Sequence, residues 1–257
     1  MTTISEKRQI KAIVTDLDRT LLRTDKTVSA YTLEVLKKCR DSGVLIMVAS
    51  ARPLRDVLPF RETLGFSAAS ATNGAIVALP ERTLETGIRT ESCERIISGL
   101  LKFADVVLSA ETSGGLFANV DIPLWQPVIY DKFPKLPEGI TAYKILASSK
   151  SPELYENVHS LLTDDVYCTV ANNDLVQIMS KEATKWRATE LMLSHFGLSP
   201  DEAVYFGDDN DDIEPIERCG VGVAVANAIP RVIKVADFIT ESNDADGVAR
   251  FIEENYI

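Results

Sequence analysis

The segment Ile13-Val14-Thr15-Asp16-Leu17-Asp18-Arg19-Thr20-Leu21-Leu22 constrains the fold more than any other. An apolar run ends abruptly in two acids one residue apart, and a hydroxyl follows. Short continuous apolar runs read as strands buried on both faces of a parallel sheet, which assigns a strand to residues 10–14. Asp16 then stands at the carboxyl end of that strand, where open α/β sheets place their sites. In extended chain, residues two apart project to the same side, so Asp16 and Asp18 face together. Two such carboxylates repel unless a cation or a shared proton intervenes. A hard cation such as Mg2+ suits them, and one acid could attack while the other moves a proton. Taken alone, the pair also fits an ordinary strand ending in a solvated turn.

The arrangement recurs. Val44-Leu45-Ile46-Met47-Val48-Ala49 ends in Ser50-Ala51-Arg52, and Ala203-Val204-Tyr205-Phe206 ends in Gly207-Asp208-Asp209-Asn210-Asp211-Asp212. Helices separate these runs. One starts at Ser29 as its cap, carries Leu33, Leu36 and Cys39 at helical spacing, and stops at Gly43. Pro53 opens another that Gly65 closes, and a third spans 185–196 before Gly197. Strand and helix in alternation imply right-handed βαβ units and a parallel sheet. Short strands at 223–225 and 237–239 and a closing helix at 247–254 continue the pattern.

Between about residues 80 and 180 the texture changes. An amphipathic helix is expected over 92–103 and a second over 152–162. Short strands are expected at 106–108, 116–120, 142–147, 166–170 and 175–179. No segment there ends in an acid pair. The reading is an α+β insert with its own sheet, residues 81–180, within a catalytic core made of 1–80 and 181–257.

Composition narrows the function. The formal net charge is −11, which disfavours nucleic acid as a partner. No run is long and apolar enough for a bilayer, and the first eight residues lack the apolar stretch of a signal peptide, so a cytoplasmic protein is expected. Cys39, Cys93, Cys168 and Cys219 have no CxxC spacing and read as reduced thiols. His159 and His195 fall in helical patterns, outside any metal-ligand spacing.

Three strands therefore end in Asp16 with Asp18, in Ser50, and in Asp208 with its acidic neighbours. In a parallel sheet those ends share one edge, and so many acids in one place call for a divalent cation. Metal, hydroxyl and ammonium are the parts phosphoryl transfer needs. Lys181 and Lys185 both precede the Asp208 strand by one helix, and either could supply the ammonium. The acidic run imitates an EF-hand start, but Ile213 occupies the glycine position and Cys219 the glutamate position. Gly220 and Gly222 precede their strand, which is the wrong order for a dinucleotide site.

These motifs resemble the haloacid dehalogenase (HAD) superfamily. Asp16-Leu17-Asp18-Arg19-Thr20-Leu21-Leu22 is similar to its DxDGTLL signature, and Ser50-Ala51-Arg52 to its second motif. Gly207–Glu214 resembles its GDxxND motif, and the segments at 220–228 and 246–248 resemble the Cof-type branch, which carries a type IIB cap. The resemblance implies a Rossmann-like α/β core with an inserted α+β cap, and a Mg2+-dependent phosphatase acting on small phosphorylated metabolites, often sugar phosphates. It implies Asp16 as nucleophile and Asp18 as general acid and base. It places Mg2+ on Asp16, the Asp18 backbone carbonyl and Asp208. It assigns phosphoryl contacts to Ser50, Ala51 and Arg52, and the neutralising ammonium to Lys185 rather than Lys181. It sets Asn73 and Asp211 beside the substrate, although Asn73-Gly74 also reads as a simple hairpin turn. Candidate cap contacts lie in Glu111–Gly115, whose glycines suit a mobile loop.

Three residues depart from the motifs. Arg19 and Trp186 stand where glycine is usual, and Asp211 stands where asparagine is expected to contact phosphate. A carboxylate there repels phosphate unless it is protonated or turned away. A phosphomutase or phosphotransferase of the same fold, and a low-turnover phosphate- or metal-binding regulator, are the alternative readings. No nucleic-acid or membrane partner is expected, and the chain is expected to be a monomer or homodimer.

Overall fold

The structure, a computed structural model, describes residues 10–171 and 174–257, and all counts are of those residues. The N-terminal eight residues read above for a leader lie outside the described residues. In chain order the strands are β1 (Ala12–Thr15), β2 (Leu45–Ala49), β3 (Ala68–Ala71), β4 (Ile76–Ala78) and β5 (Thr83–Glu85). Next come β6 (Val107–Thr112), β7 (Gly115–Ala118), β8 (Val128–Ile129), β9 (Ala142–Ser148), β10 (Val166–Ala171) and β11 (Leu175–Ser180). The last three are β12 (Ala203–Gly207), β13 (Val221–Val225) and β14 (Phe238–Thr240). Two compact units result. One comprises the chain before Glu85 and after Ala183, and the other is Glu85–Ala183.

The first unit is built on a sheet of order β14-β13-β12-β1-β2-β3-β4-β5. From β14 through β3 the pairing is parallel; β4 runs antiparallel to β3. β1 lies between β12 and β2, with Thr15 paired to Phe206 on one side and to Val48 on the other. Every residue of β1 is buried. A strand covered on both faces has no use for alternation, which is why the apolar run marks it so clearly. The ladder runs on to Thr15 because backbone pairing is indifferent to a hydroxyl, whereas the apolar criterion stopped at Val14. Thr15 donates its buried hydroxyl to the Asp16 carbonyl at 2.8 Å.

Caps fix where two of the helices start. The Ser29 side chain accepts from Thr32 N at 3.0 Å and starts Ala30–Asp41. Thr184 accepts from Arg187 N at 3.2 Å, so Lys185 is the first residue of its helix, Lys185–His195. The single helix expected after Pro53 is two, Leu54–Val57 and Phe60–Leu64. Pro59 divides them, because proline cannot donate into a continuing helical ladder.

The second unit has a sheet of order β10-β11-β9-β6-β7-β8, antiparallel except for β7 with β8. Its core packs Ile96, Ile97 and Leu100 of the Thr90–Leu100 helix against Leu108, Ile145, Val176 and Ile178 of the sheet. The second expected helix is only Glu153–Asn157, continued by a 3-10 turn at Val158–Leu161. The edge strands β5 and β8 carry no apolar run and were not legible. No helix of the described residues is long and apolar enough to cross a membrane.

Between β3 and β4 the chain turns through Thr72, Asn73 and Gly74, with φ of 51°, 57° and 102°. A Cβ at Gly74 would lie 2.2 Å from the Thr184 carbonyl oxygen. Both the torsion and the space require glycine. Gly74→Ala is expected to lower stability by about 2–4 kcal/mol in urea unfolding. A loss below about 0.5 kcal/mol, the range of neutral surface changes, would contradict this packing.

Candidate active site

Each of three adjacent strands hands its last residue to one sheet edge. The β1 ladder continues one step, with Asp16 N donating to Phe206 O at 3.0 Å. Past β2, Ser50 N donates to Ser70 O at 3.0 Å. Past β12 comes Asp208. Because β12, β1 and β2 are neighbours, Asp208, Asp16 and Ser50 stand side by side, and all three are buried.

Lys185 is buried among these acids. Its Nζ lies 3.0 Å from Asp16 Oδ1 and 2.7 Å from Asp212 Oδ1. Burial disfavours the ammonium, but Asp16, Asp212 and Asp211 outweigh burial and raise its pKa, so it is a cation. One cation cannot neutralise the whole group. Burial first, then the Asp212 and Asp208 charges, hold the Asp16 pKa well above the usual carboxylate range despite Lys185. Asp208 is pushed up to about 6, by burial and then by Asp212.

Asp212 is the residue that the motif reading passed over. It is fully buried and accepts four hydrogen bonds. Lys185 Nζ and the Tyr205 hydroxyl each reach Oδ1 at 2.7 Å, and the Asp208 and Asp209 backbone N–H groups reach Oδ2 at 3.0 and 3.1 Å. It orients the ammonium and fixes the loop that carries Asp208. Gly207 makes room for it, since a Cβ there would sit 2.3 Å from the Asp212 Cβ. An acid three residues after Asp209 was a readable capping pattern; Tyr205 gave no signal beyond its apolar strand.

Oxygens of Asp16, Asp208 and Asp212 lie within 4.8 Å of one another, a spacing suited to a shared ion. Asp212 already accepts four donors, which leaves Asp16 and Asp208. Asp208 Oδ1 accepts from the Thr20 hydroxyl at 2.9 Å, and its Oδ2 lies 3.7 Å from Arg19 Nε. Asp16 and Asp208 thus present close carboxylate oxygens whose raised pKa values a bound divalent cation would lower, and oxygen ligands of this kind are what a hard cation favours.

Asp18 faces a different environment. Arg52 donates to it from both ends of its fork, at 2.5 and 2.7 Å, and Lys26 donates at 2.8 Å. Burial would raise its pKa, but these two cations prevail and hold it at about 2. Its side chain is therefore an ion-paired carboxylate, and only its backbone carbonyl figures in the expected metal set. Arg52 also lies over the Phe60 ring, 5.4 Å from its centroid. The Ser50 hydroxyl accepts from Arg52 N at 3.2 Å, and Ala51 between them is exposed.

Asn73 N donates to Ser50 O at 3.1 Å, and its Nδ2 donates to the Asp211 carboxylate. Asn73 Oδ1 is buried without a hydrogen-bond partner. The carboxylate at 211 is thus turned to an amide donor. Trp186 is buried with Arg218 over its ring at 5.3 Å. Arg19 has φ 60°, a conformation costing a non-glycine residue roughly 1–2 kcal/mol. Of the residues singled out on sequence, Asp16, Asp208 and Lys185 form one buried cluster, Asp18 with Arg52 a second group, and Asn73 with Asp211 a third. Lys26, Tyr205 and Asp212 were missed.

Residues 13–252 match the family described as haloacid dehalogenase-like hydrolase. This chain belongs to that family. The hydrolase is 24% identical over 265 residues to the Bacillus subtilis protein named 5-amino-6-(5-phospho-D-ribitylamino)uracil phosphatase YitU, covering 95% of this chain and 97% of the relative. Its fold superposes on TM0651 from Thermotoga maritima with a TM-score of 0.83 at 25% identity, covering 95% of this chain and 97% of that one. BT1666 from Bacteroides thetaiotaomicron, described among phosphatases of the HAD superfamily, has a TM-score of 0.83 at 23% identity, covering 98% and 97%.

Proposed function

We propose that this hydrolase is a Mg2+-dependent phosphatase that cleaves small phosphorylated metabolites, sugar phosphates foremost, through an aspartyl-phosphate at Asp16. The observation that carries the proposal is the buried Asp16 carboxylate at the end of the central strand, flanked by Lys185 and by the acid of the next strand, Asp208. The names of its relatives point the same way. Asp16 and Asp208, with the Asp18 carbonyl, would hold Mg2+, which when bound would neutralise charge on the phosphoryl oxygens.

The chain's own residues do the rest. An Asp16 oxygen attacks phosphorus and the ester oxygen leaves, taking a proton from Asp18. Asp18 then takes a proton from water, the water oxygen attacks phosphorus, and phosphate departs from a regenerated Asp16. Asp18 must first acquire that proton. With Arg52 and Lys26 on it, the carboxylate is ionised at neutral pH. A bound phosphoryl group that draws Arg52 toward itself weakens that ion pair and raises the Asp18 pKa. Ser50 and Asn73 line the same edge and would bind phosphoryl oxygens. Lys185 stays charged throughout and offsets Asp16 before attack and the phosphoryl group after it. The Glu85–Ala183 unit would serve as the cap that reads the leaving group.

The test is hydrolysis of p-nitrophenyl phosphate with MgCl2, abolished by EDTA. Failure to hydrolyse this and a panel of phosphorylated metabolites would refute the proposal. A pH dependence follows. Asp208 titrates near 6 in the ion-free protein, above its ordinary 3.8. Its contribution to ion-free stability is present below 3.8 and lost as pH rises through about 6. Mg2+ needs the ionised form, so the rise in Tm caused by MgCl2 is expected to be larger at pH 8 than at pH 5. Equal shifts at both values would remove Asp208 from the ion site.

A further inference from the structure

We propose that Arg19 is a specificity-determining residue that recognises a second anionic group, a carboxylate or a second phosphate, on the leaving portion of the substrate. The inference rests on the phosphatase reading above. Its first support is the backbone. Arg19 holds φ 60° in a loop where glycine would be unstrained. A long charged side chain at such a position persists when its side chain is needed.

The second support is how the residue is held. Asn227 Nδ2 donates to the Arg19 carbonyl at 2.7 Å, and Arg19 Nη2 donates to the Asn227 carbonyl at 3.3 Å. This reciprocal pairing aims the guanidinium while its side chain stays 58% exposed. Its approach to Asp208 is 3.7 Å through Nε, too long for a hydrogen bond, and the donor on that carboxylate is Thr20. Burial raises the Asp208 pKa and the Arg19 charge lowers it, but this ion pair engages only the Nε edge of the guanidinium.

The third support is contrast with its neighbours. Arg52 has both ends of its fork on Asp18, and Lys26 donates to the same carboxylate. Arg19 retains donors without a partner among the described residues, with its side chain open to solvent. Its guanidinium stands beside Asp208, whose carboxylate lies within 4.8 Å of that of Asp16, so a second anion on a substrate bound at Asp16 can meet its planar fork, which suits a carboxylate or a phosphate.

The test compares matched substrates that differ in the second anion. Glycerol 2-phosphate is paired with 2-phosphoglycerate, and fructose 6-phosphate with fructose 1,6-bisphosphate. Wild type is expected to show higher kcat/KM on the doubly anionic member of at least one pair. The pair that responds distinguishes carboxylate from phosphate. In Arg19→Gly that preference is expected to fall about tenfold or more, carried by KM, the scale of a lost charge-assisted hydrogen bond. Arg19→Lys, which keeps the charge without the fork, is expected to retain part of it. Three results overturn the proposal: no preference in wild type, an unchanged preference in Arg19→Gly, or an equal loss on all four substrates, which would place Arg19 on the reacting phosphoryl group. If wild type hydrolyses none of the four and not p-nitrophenyl phosphate either, the phosphatase reading itself fails.

Discussion

Asp16→Asn is expected to reduce kcat on p-nitrophenyl phosphate by at least about 10⁴-fold, the scale seen when a nucleophile is removed. The amide oxygen of asparagine cannot form the acyl-phosphate, and neighbouring groups cannot substitute for it. Lys185 and Asp212 are already committed to each other at 2.7 Å, and the Asp208 oxygen that Thr20 leaves open is the one proposed for Mg2+. The same change should leave the ion-free protein at least as stable as wild type. Asp16 is a buried carboxylate facing Asp208 and Asp212, so its loss removes repulsion and desolvation together. Lys185 keeps Asp212 as its partner. A collapse of activity with an unchanged or raised Tm therefore separates a chemical role from a structural one. Residual activity within about tenfold of wild type would rule out covalent catalysis at this residue.

Lys185→Met is expected to have the second-largest effect, and on stability as well as turnover. Methionine fills a similar volume but leaves two buried carboxylates without their cation. Breaking a buried pair in this way costs about 3–5 kcal/mol at neutral pH. The pH dependence identifies the cause. Asp16 already has a raised pKa, and without Lys185 it rises further, so the variant loses stability as pH rises through that value and recovers some as pH falls. Urea unfolding at pH 5 and pH 8 should show the larger deficit at pH 8. A deficit that does not change with pH would mean that lost packing, not charge, is responsible. Adding Asp212→Asn should restore part of the stability. The double variant removes one of the unneutralised acids; with the amide oxygen at the Oδ2 position the two backbone N–H groups keep their acceptor, and the amide NH2 donates to the Tyr205 hydroxyl oxygen.

The sequence exposed the parts of the fold whose physics is local. A strand covered on both faces must be apolar throughout, so β1, β2 and β12 stood out, and their last residues marked the edge that carries Asp16, Ser50 and Asp208. Ser29 was readable because a cap bonds its own helix within three residues. The division after Pro53 was misjudged because two short helices and one long one share the same periodicity until Pro59 is weighed. β5 and β8 escaped because a short exposed edge strand has no pattern of burial.

What the chain determined unaided was which residue types end which strands, and hence that acids, a hydroxyl and an ammonium would be available along one edge. Only the folded arrangement decided which acid is free and which is bound. Asp212 and Asp208 look alike on paper, yet one accepts four donors and the other keeps an oxygen open. Asp16 and Asp18 are two residues apart, yet one has its pKa driven up by burial and like charge while two cations drive the other down. Electrostatic environment is set by neighbours up to some 190 residues away in the chain, as Thr20 with Asp208 shows. Such distances leave no periodicity or spacing from which the environment could be read.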